Sequence, residues 1–140
     1  MNSIPKSFWI ISTLALLWNL MGLGAYASHL SMTPEAIAEL PSAEQALYED
    51  YPSWLTIVFG LATICGTLGC VSLLLKKAWA IPLFIISLVA VIIQNAYSFG
   101  ATNVLEVYGV VPLIMQILVI LFGVYLIYFS RDAKAKGYIS

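Results

Sequence analysis

Hydrophobic positions along this chain gather into four long runs: about Phe8–Ser28, Trp54–Leu75, Ala78–Phe99 and Val107–Phe129. None contains an acidic or basic side chain. Each run approximates the ~20 residues of helix that cross roughly 30 Å of hydrocarbon. Extended segments would leave backbone N–H and C=O groups unpaired in lipid, so the pattern predicts helices. The expected fold is an all-α membrane protein, a single four-helix transmembrane domain over residues 1–140. Two polar breaks, Lys76–Lys77 and Gly100–Glu106, are short enough to force antiparallel hairpins. The first run is longer and bulkier than the apolar region of a cleaved signal, and is expected to remain as a span.

The third break, residues 29–53, carries helix punctuation. Thr33-Pro34-Glu35 reads as an N-cap followed by proline at the first helical position. Ser42 and Gln45 have the spacing of a capping box. Two short helices are predicted, about 34–40 and 43–50, interrupted at Pro41. Ile37, Leu40 and Leu47 would rest on the bundle mouth while the acids face water. Such a loop suits either a solvated connector or a lid or docking surface.

Charge fixes the orientation expected of these spans. Lys6, Lys76, Lys77, Arg131, Lys134 and Lys136 all fall on one side of a four-span arrangement. Glu35, Glu39, Glu44, Glu49, Asp50 and Glu106 fall on the other, and Asp132 is the exception. Lysine and arginine near span ends are retained in the cytoplasm, which predicts cytoplasmic N- and C-termini in a cell (inner) membrane. Trp9 and Trp79 would anchor the inner boundary, and Trp54, Tyr26, Tyr97 and Tyr108 the outer one.

Composition agrees with a lipid environment. The chain is 61% hydrophobic and 9% charged, whereas soluble domains carry about a quarter charged residues. Cys65 and Cys70 lie inside the second run, about 140° apart around a helix, so they are not expected to pair. His29 is the only histidine, which excludes a haem held by two axial histidines of one chain. No Ser/His/Asp set, paired intramembrane carboxylates, glycine-rich phosphate loop or metal-ligand cluster occurs. The expectation is therefore a protein without catalytic activity, cofactor or metal. The six basic residues are accounted for by topology, and no nucleic-acid partner is expected.

Within the spans, small and polar residues recur at helical spacing. Ser12, Ala15, Asn19, Gly22 and Tyr26 form such a stripe in the first, and Thr56, Gly60, Thr63, Thr67 and Cys70 in the second. Such faces turn toward the interior of a bundle. Ala62, Gly66 and Cys70 form a small-xxx-small ridge suited to close helix packing, within one chain or across a dimer. Pro112 lies about five residues into the fourth predicted span, where it could kink the helix above Gln116. Ile10-Ile11-Ser12 matches Ile85-Ile86-Ser87, an offset that also places Asn19 on Gln94. The second and fourth spans do not align at that offset.

The amides are the candidate chemistry. At 1.5 Å per residue, Asn19 is expected about 16 Å from the inner edge and Gln116 about 14 Å from the outer edge, with Gln94 higher. Asn19, Gln94 and Gln116 could form a cluster opening toward Tyr26 and Tyr97. In one reading they bond across helices, each pair contributing about 0.6 kcal/mol and up to ~1.7. In the other they line a pocket for a neutral solute, because amides offer both donors and acceptors. No intramembrane charge is present to neutralise an ion.

Several segments together carry a family resemblance: Lys6-Ser-Phe-Trp9, Leu17-Trp18-Asn19-Leu20-Met21-Gly22, Leu40-Pro41-Ser42-Ala43-Glu44-Gln45, and Gly66-Thr67-Leu68-Gly69-Cys70 before Lys76-Lys77-Ala78-Trp79-Ala80. In these the chain resembles a group of small bacterial four-span membrane proteins of unknown mechanism, often labelled sugar transporters. It differs from the three-span sugar-permeating proteins, since neither Pro82 nor Pro112 is followed by glutamine. The resemblance implies a small membrane protein with a transport role. The leading expectation is an oligomer that binds or passes a small neutral solute, and replacing Asn19 or Gln116 by leucine should abolish uptake. The alternative is a non-catalytic accessory subunit of a larger membrane complex, docking through loop 29–53.

Overall fold

The computed structural model describes residues 4–49, 51–101 and 104–140. They form seven helices: α1 (Lys6–Leu30), α2 (Pro34–Ala38), α3 (Ser42–Glu49), α4 (Ser53–Leu74), α5 (Ala80–Ala101), α6 (Val104–Tyr108) and α7 (Val111–Ala135). Four of them, α1, α4, α5 and α7, are long and apolar enough to cross a membrane. Both α1 and α4 start directly after an extended proline, Pro5 and Pro52. Proline's fixed φ and missing N–H suit that boundary.

The fourth long helix begins later than the hydrophobic run suggests. Gly109 has φ +80°, and its N–H bonds the Leu105 carbonyl at 2.9 Å, which closes α6. A left-handed residue of this kind ends helices, and glycine adopts it without steric cost. The chain restarts as α7 with Pro112 in the first turn. Pro112 therefore does not kink the span: it sits where the helix has no N–H bond to lose. Hydrophobicity runs through residues 107–111 without a gap, so only the glycine marks the break.

In the loop, Thr33 Oγ1 accepts from the Ala36 N–H at 3.1 Å and caps α2. Gln45 does not make the capping box that its spacing suggests. Its amide instead reaches back to the carbonyls of Ala38 (3.1 Å) and Leu40 (2.6 Å), tying α3 to the end of α2. Asp50, expected to end the second short helix, lies outside the described residues.

Long helices pack in chain order, α1 on α4, α4 on α5 and α5 on α7. The α4–α5 turn and residues 136–140 meet at one end of the bundle, called here the terminal end, where the Ser140 N–H bonds the Lys76 carbonyl at 3.1 Å. The opposite, loop end carries α2, α3 and α6. Helix α4 is the centre: 39% of its most apolar stretch is buried in the bundle, against 6% for that of α7. Glycines make that centrality possible. A Cβ on Gly69 would lie 2.6 Å from the Phe84 ring, and one on Gly60 would lie 2.7 Å from the Tyr26 hydroxyl. Neighbouring helices thus press side chains onto bare backbone, the close approach that small residues permit in lipid.

The tightest turn uses a residue not suited to it. Lys76 has φ 61°, its N–H bonds the Leu73 carbonyl at 2.9 Å, and the Lys77 N–H bonds the Ser72 carbonyl at 2.8 Å. This pair of bonds is the Schellman arrangement, usually built on glycine. After α7 the same arrangement recurs on Gly137, φ +78°, and turns the following residues back under the bundle. There Phe8, Leu73, Ala80, Phe84, Leu126 and Ile139 form the main core, and Phe8 stacks on Phe129 at 5.7 Å between ring centroids.

Candidate functional site

Above this core lies a cavity of about 320 Å³ between all four long helices. Its floor is Phe84 and Leu126, both members of the terminal-end core. Its walls are largely apolar, with Phe59, Leu88, Val91, Val119 and Phe122 among them. Polar side chains also line it: Asn19, Thr63, Ser87, Gln94 and Gln116. Among the described residues, no charged side chain does.

These polar groups differ in what they leave free. Asn19 donates to the Ala15 carbonyl at 2.9 Å and to the Cys70 sulfur at 3.4 Å, and its oxygen lies against Gly66. Thr67 bonds the Asn19 carbonyl across the same helix pair at 3.4 Å. Ser87 donates to the Ala62 carbonyl at 2.6 Å, and Thr63 to carbonyls of its own helix. Asn19 and Ser87 thus hold α1 and α5 to α4, and the Thr63 hydroxyl is spent within α4. Ala62, Gly66 and Cys70 are buried beneath these contacts. The small-residue ridge is thereby filled within the chain and is closed to a dimer partner.

Gln94 and Gln116 are different. Among the described residues Gln116 has no hydrogen-bond partner, and Gln94 has the Tyr51 phenol as its polar neighbour. Their height also departs from expectation. Asn19 is level with Gly66, which in turn neighbours Ser87, and Trp18 meets Phe122 at 5.6 Å between ring centroids. Gln116 and Gln94 are six and seven residues above Phe122 and Ser87, about 10 Å nearer the loop end. Asn19 and Gln116 do not share the midplane. The later start of α7 raises Gln116 by four residues relative to the predicted span, about 6 Å.

Tyr26 and Tyr97 do not line the cavity. The Tyr26 ring rests on Phe59 at 5.0 Å with its hydroxyl over Gly60, and Tyr97 packs edge-on against Trp54 at 5.4 Å. Both belong to an aromatic rim at the loop end. Tyr51 completes that rim, 4.5 Å from the His29 ring, with its hydroxyl buried beside Gln94 and outside bonding geometry. Burial pushes the Tyr51 phenol above its ordinary range, so it stays a neutral donor near pH 7. Tyr51 is the site residue that the sequence does not announce, since it precedes Pro52 in a loop where no periodicity assigns it a face.

Among the described residues, no group of three or more His, Cys, Asp or Glu side chains could hold a metal ion. No family model, curated protein or solved structure matches the chain. Four helices long and apolar enough to span, arranged around a cavity, make this a candidate multi-pass membrane protein.

Proposed function

We propose that the chain is a small bacterial inner-membrane protein that binds an uncharged molecule in the cavity between its four spans. The observation that carries this reading is the pair of amides at the loop end, Gln94 and Gln116, facing a cavity with no charge among the described residues of its wall. An amide can satisfy a neutral hydroxyl or carbonyl, whereas an ion would have to shed water without a counter-charge. The volume falls at the small end of the 300–1,000 Å³ or so typical of ligand pockets. Lys6, Lys76, Lys77, Arg131, Lys134 and Lys136 support cytoplasmic termini, which puts the amides in the outer half of the bilayer.

Binding needs no catalytic step. Passage across the membrane would require the packed floor around Phe84 and Leu126 to separate, which suits rearrangement in an oligomer better than motion within this one chain. The test is purification from native membranes in mild detergent, with mass spectrometry of the small molecules retained. A neutral compound present with the wild type and absent with Gln116→Leu is the expected result. Equal recovery from both would overturn the reading.

A second reading rests on loop 29–53, where Glu35 and Glu39 are exposed on or beside a capped helix. In it the chain is an accessory subunit, and that acidic surface docks a partner protein. Deleting residues 34–47 should then release a stoichiometric partner from the native complex. Purification of the intact chain alone would dismiss it.

A further inference from the structure

If the cavity is a binding site, its walls and openings say more about what enters it. Polarity changes along its length. The uncommitted amides, Gln94 and Gln116, stand at the loop end, while Phe84, Phe122 and Leu126 form the far end. Between them, the Ser87 and Thr63 hydroxyl protons are already donated to backbone carbonyls. A molecule with hydroxyls along its whole length would leave its deeper groups unpaired against hydrocarbon, a costly burial. A polar head with an apolar chain matches the gradient.

Its openings point the same way. At the loop end, the Tyr51 hydroxyl is buried beside Gln94 and the Tyr51 ring packs on His29, so aromatic rings cover the route from water. On the side between α1 and α7 the bundle is less closed. α7 packs on α5 and α1 on α4, and the two outer helices touch through the aromatic pairs Phe8–Phe129 and Trp18–Phe122. Above the upper pair, Met21 and Met115 line the cavity and yet are 72% and 45% exposed on the outer surface. A side chain that is both cavity wall and lipid-facing surface marks where the two volumes join. Methionine is flexible enough to part and close around an incoming chain. The volume holds about ten water-sized groups, enough for a head and the first part of a chain, with the rest left in the bilayer.

We infer that the ligand is a membrane-borne, uncharged, single-chain amphiphile with a hydroxyl- or amide-bearing head, admitted sideways from the bilayer between α1 and α7. The head meets Gln94 and Gln116, and the chain lies past Met21 and Met115 into lipid. This rests on the cavity-binding reading, and the two are separable by experiment.

The protein is reconstituted into phosphatidylcholine nanodiscs and offered monooleoylglycerol, oleate, glucose or glycerol, with bound mass read by native mass spectrometry. Monooleoylglycerol should be retained as a single molecule per chain. Its affinity should fall about ten-fold in the Gln94→Leu, Gln116→Leu double variant, which removes two net hydrogen bonds. A similar fall is expected for Val119→Trp, which fills the apolar part and leaves both amides in place. Oleate has the same chain with a charged head, and should bind at least about ten-fold more weakly. Circular dichroism and elution volume check folding, and Val119→Trp carries the test if the double variant misfolds. Retention of glucose or glycerol in place of monooleoylglycerol would overturn the amphiphile and leave the cavity-binding reading standing. Phosphatidylcholine retained equally by all variants, with no preference for monooleoylglycerol, would mean ordinary surrounding lipid and overturn the inference. Retention of nothing from the series would overturn both readings.

Discussion

The two ends of this bundle are built on opposite principles. At the terminal end, Phe8, Leu73, Ala80, Phe84, Leu126 and Ile139 interlock, and Tyr138 folds back against the Phe8 ring at 6.0 Å. At the loop end the same four helices stand around about 320 Å³ of space, and two of the amides facing it are not bound to other helices. Water-driven burial cannot explain the difference, because lipid is as apolar as a leucine side chain. Packing and hydrogen bonding decide instead. At the terminal end, rings and leucine side chains fill the space between helices; at the loop end, Gly22, Ala25 and the amides Gln94 and Gln116 line space that no side chain fills.

That contrast can be broken most directly at the sealed end. Phe8→Ala removes the ring that meets Trp9, Phe129 and Tyr138, and should cost roughly 3 kcal/mol by thermal or denaturant unfolding in bicelles. At the open end, Gln116→Leu should leave stability within about 0.5 kcal/mol of the wild type, as expected of a side chain with no packing network to lose. Equal losses at both positions would erase the distinction.

Glycine sharpens it further. Gly69→Ala drives a methyl group into the Phe84 ring and should destabilise by about 1–3 kcal/mol. Gly24→Ala is the control, since nothing lies within 4 Å of a Cβ there. Helix propensity alone should make that change neutral or slightly stabilising in the same unfolding assay, by up to about 1 kcal/mol.

Asn19 divides the amides into two kinds. Asn19→Leu breaks the bonds to Ala15 and Cys70 and puts a branched side chain against Gly66, so lower stability by about 1 kcal/mol is expected. If Asn19→Leu and Gln116→Leu lose ligand equally but only the first loses stability, Asn19 acts on the site by holding α1 to α4. One change should give a gain: Lys76→Gly relieves a left-handed lysine and should stabilise by about 1 kcal/mol in the same unfolding assay.

Much of the fold could be read from the residues because lipid imposes few solutions. Four uncharged runs of membrane length are helices on physical grounds alone, and the four long helices fall on them. What escaped was set by single residues against the pattern. Gly109 ends a helix within a continuous apolar run, which moved Gln116 by four positions and changed which amides lie at one height. Stripes of small residues indicated inward faces and gathered Asn19, Gln94 and Gln116 on one cavity. They could not distinguish an amide bonded to a neighbouring helix from one left open, because that depends on contacts between α1 and α4. Tyr26 and Tyr97 were expected near the amides from their turn of helix, and rings of the rim hold them outside the cavity.

The order of packing, α1 on α4, α4 on α5 and α5 on α7, follows the order of synthesis. Each new span can therefore settle against the one inserted before it, and only the aromatic contacts of α1 with α7 and Tyr138 must await the last. Assembly by successive hairpins leaves the last span held mainly by α5, with α1 reaching it through two aromatic pairs, consistent with α7 being the least buried of the four. A chain stalled after α5 would already hold the glycine-lined contacts of α4 on both sides. The cavity has four walls only once α7 arrives, so the site comes into existence with the fourth long helix and not before.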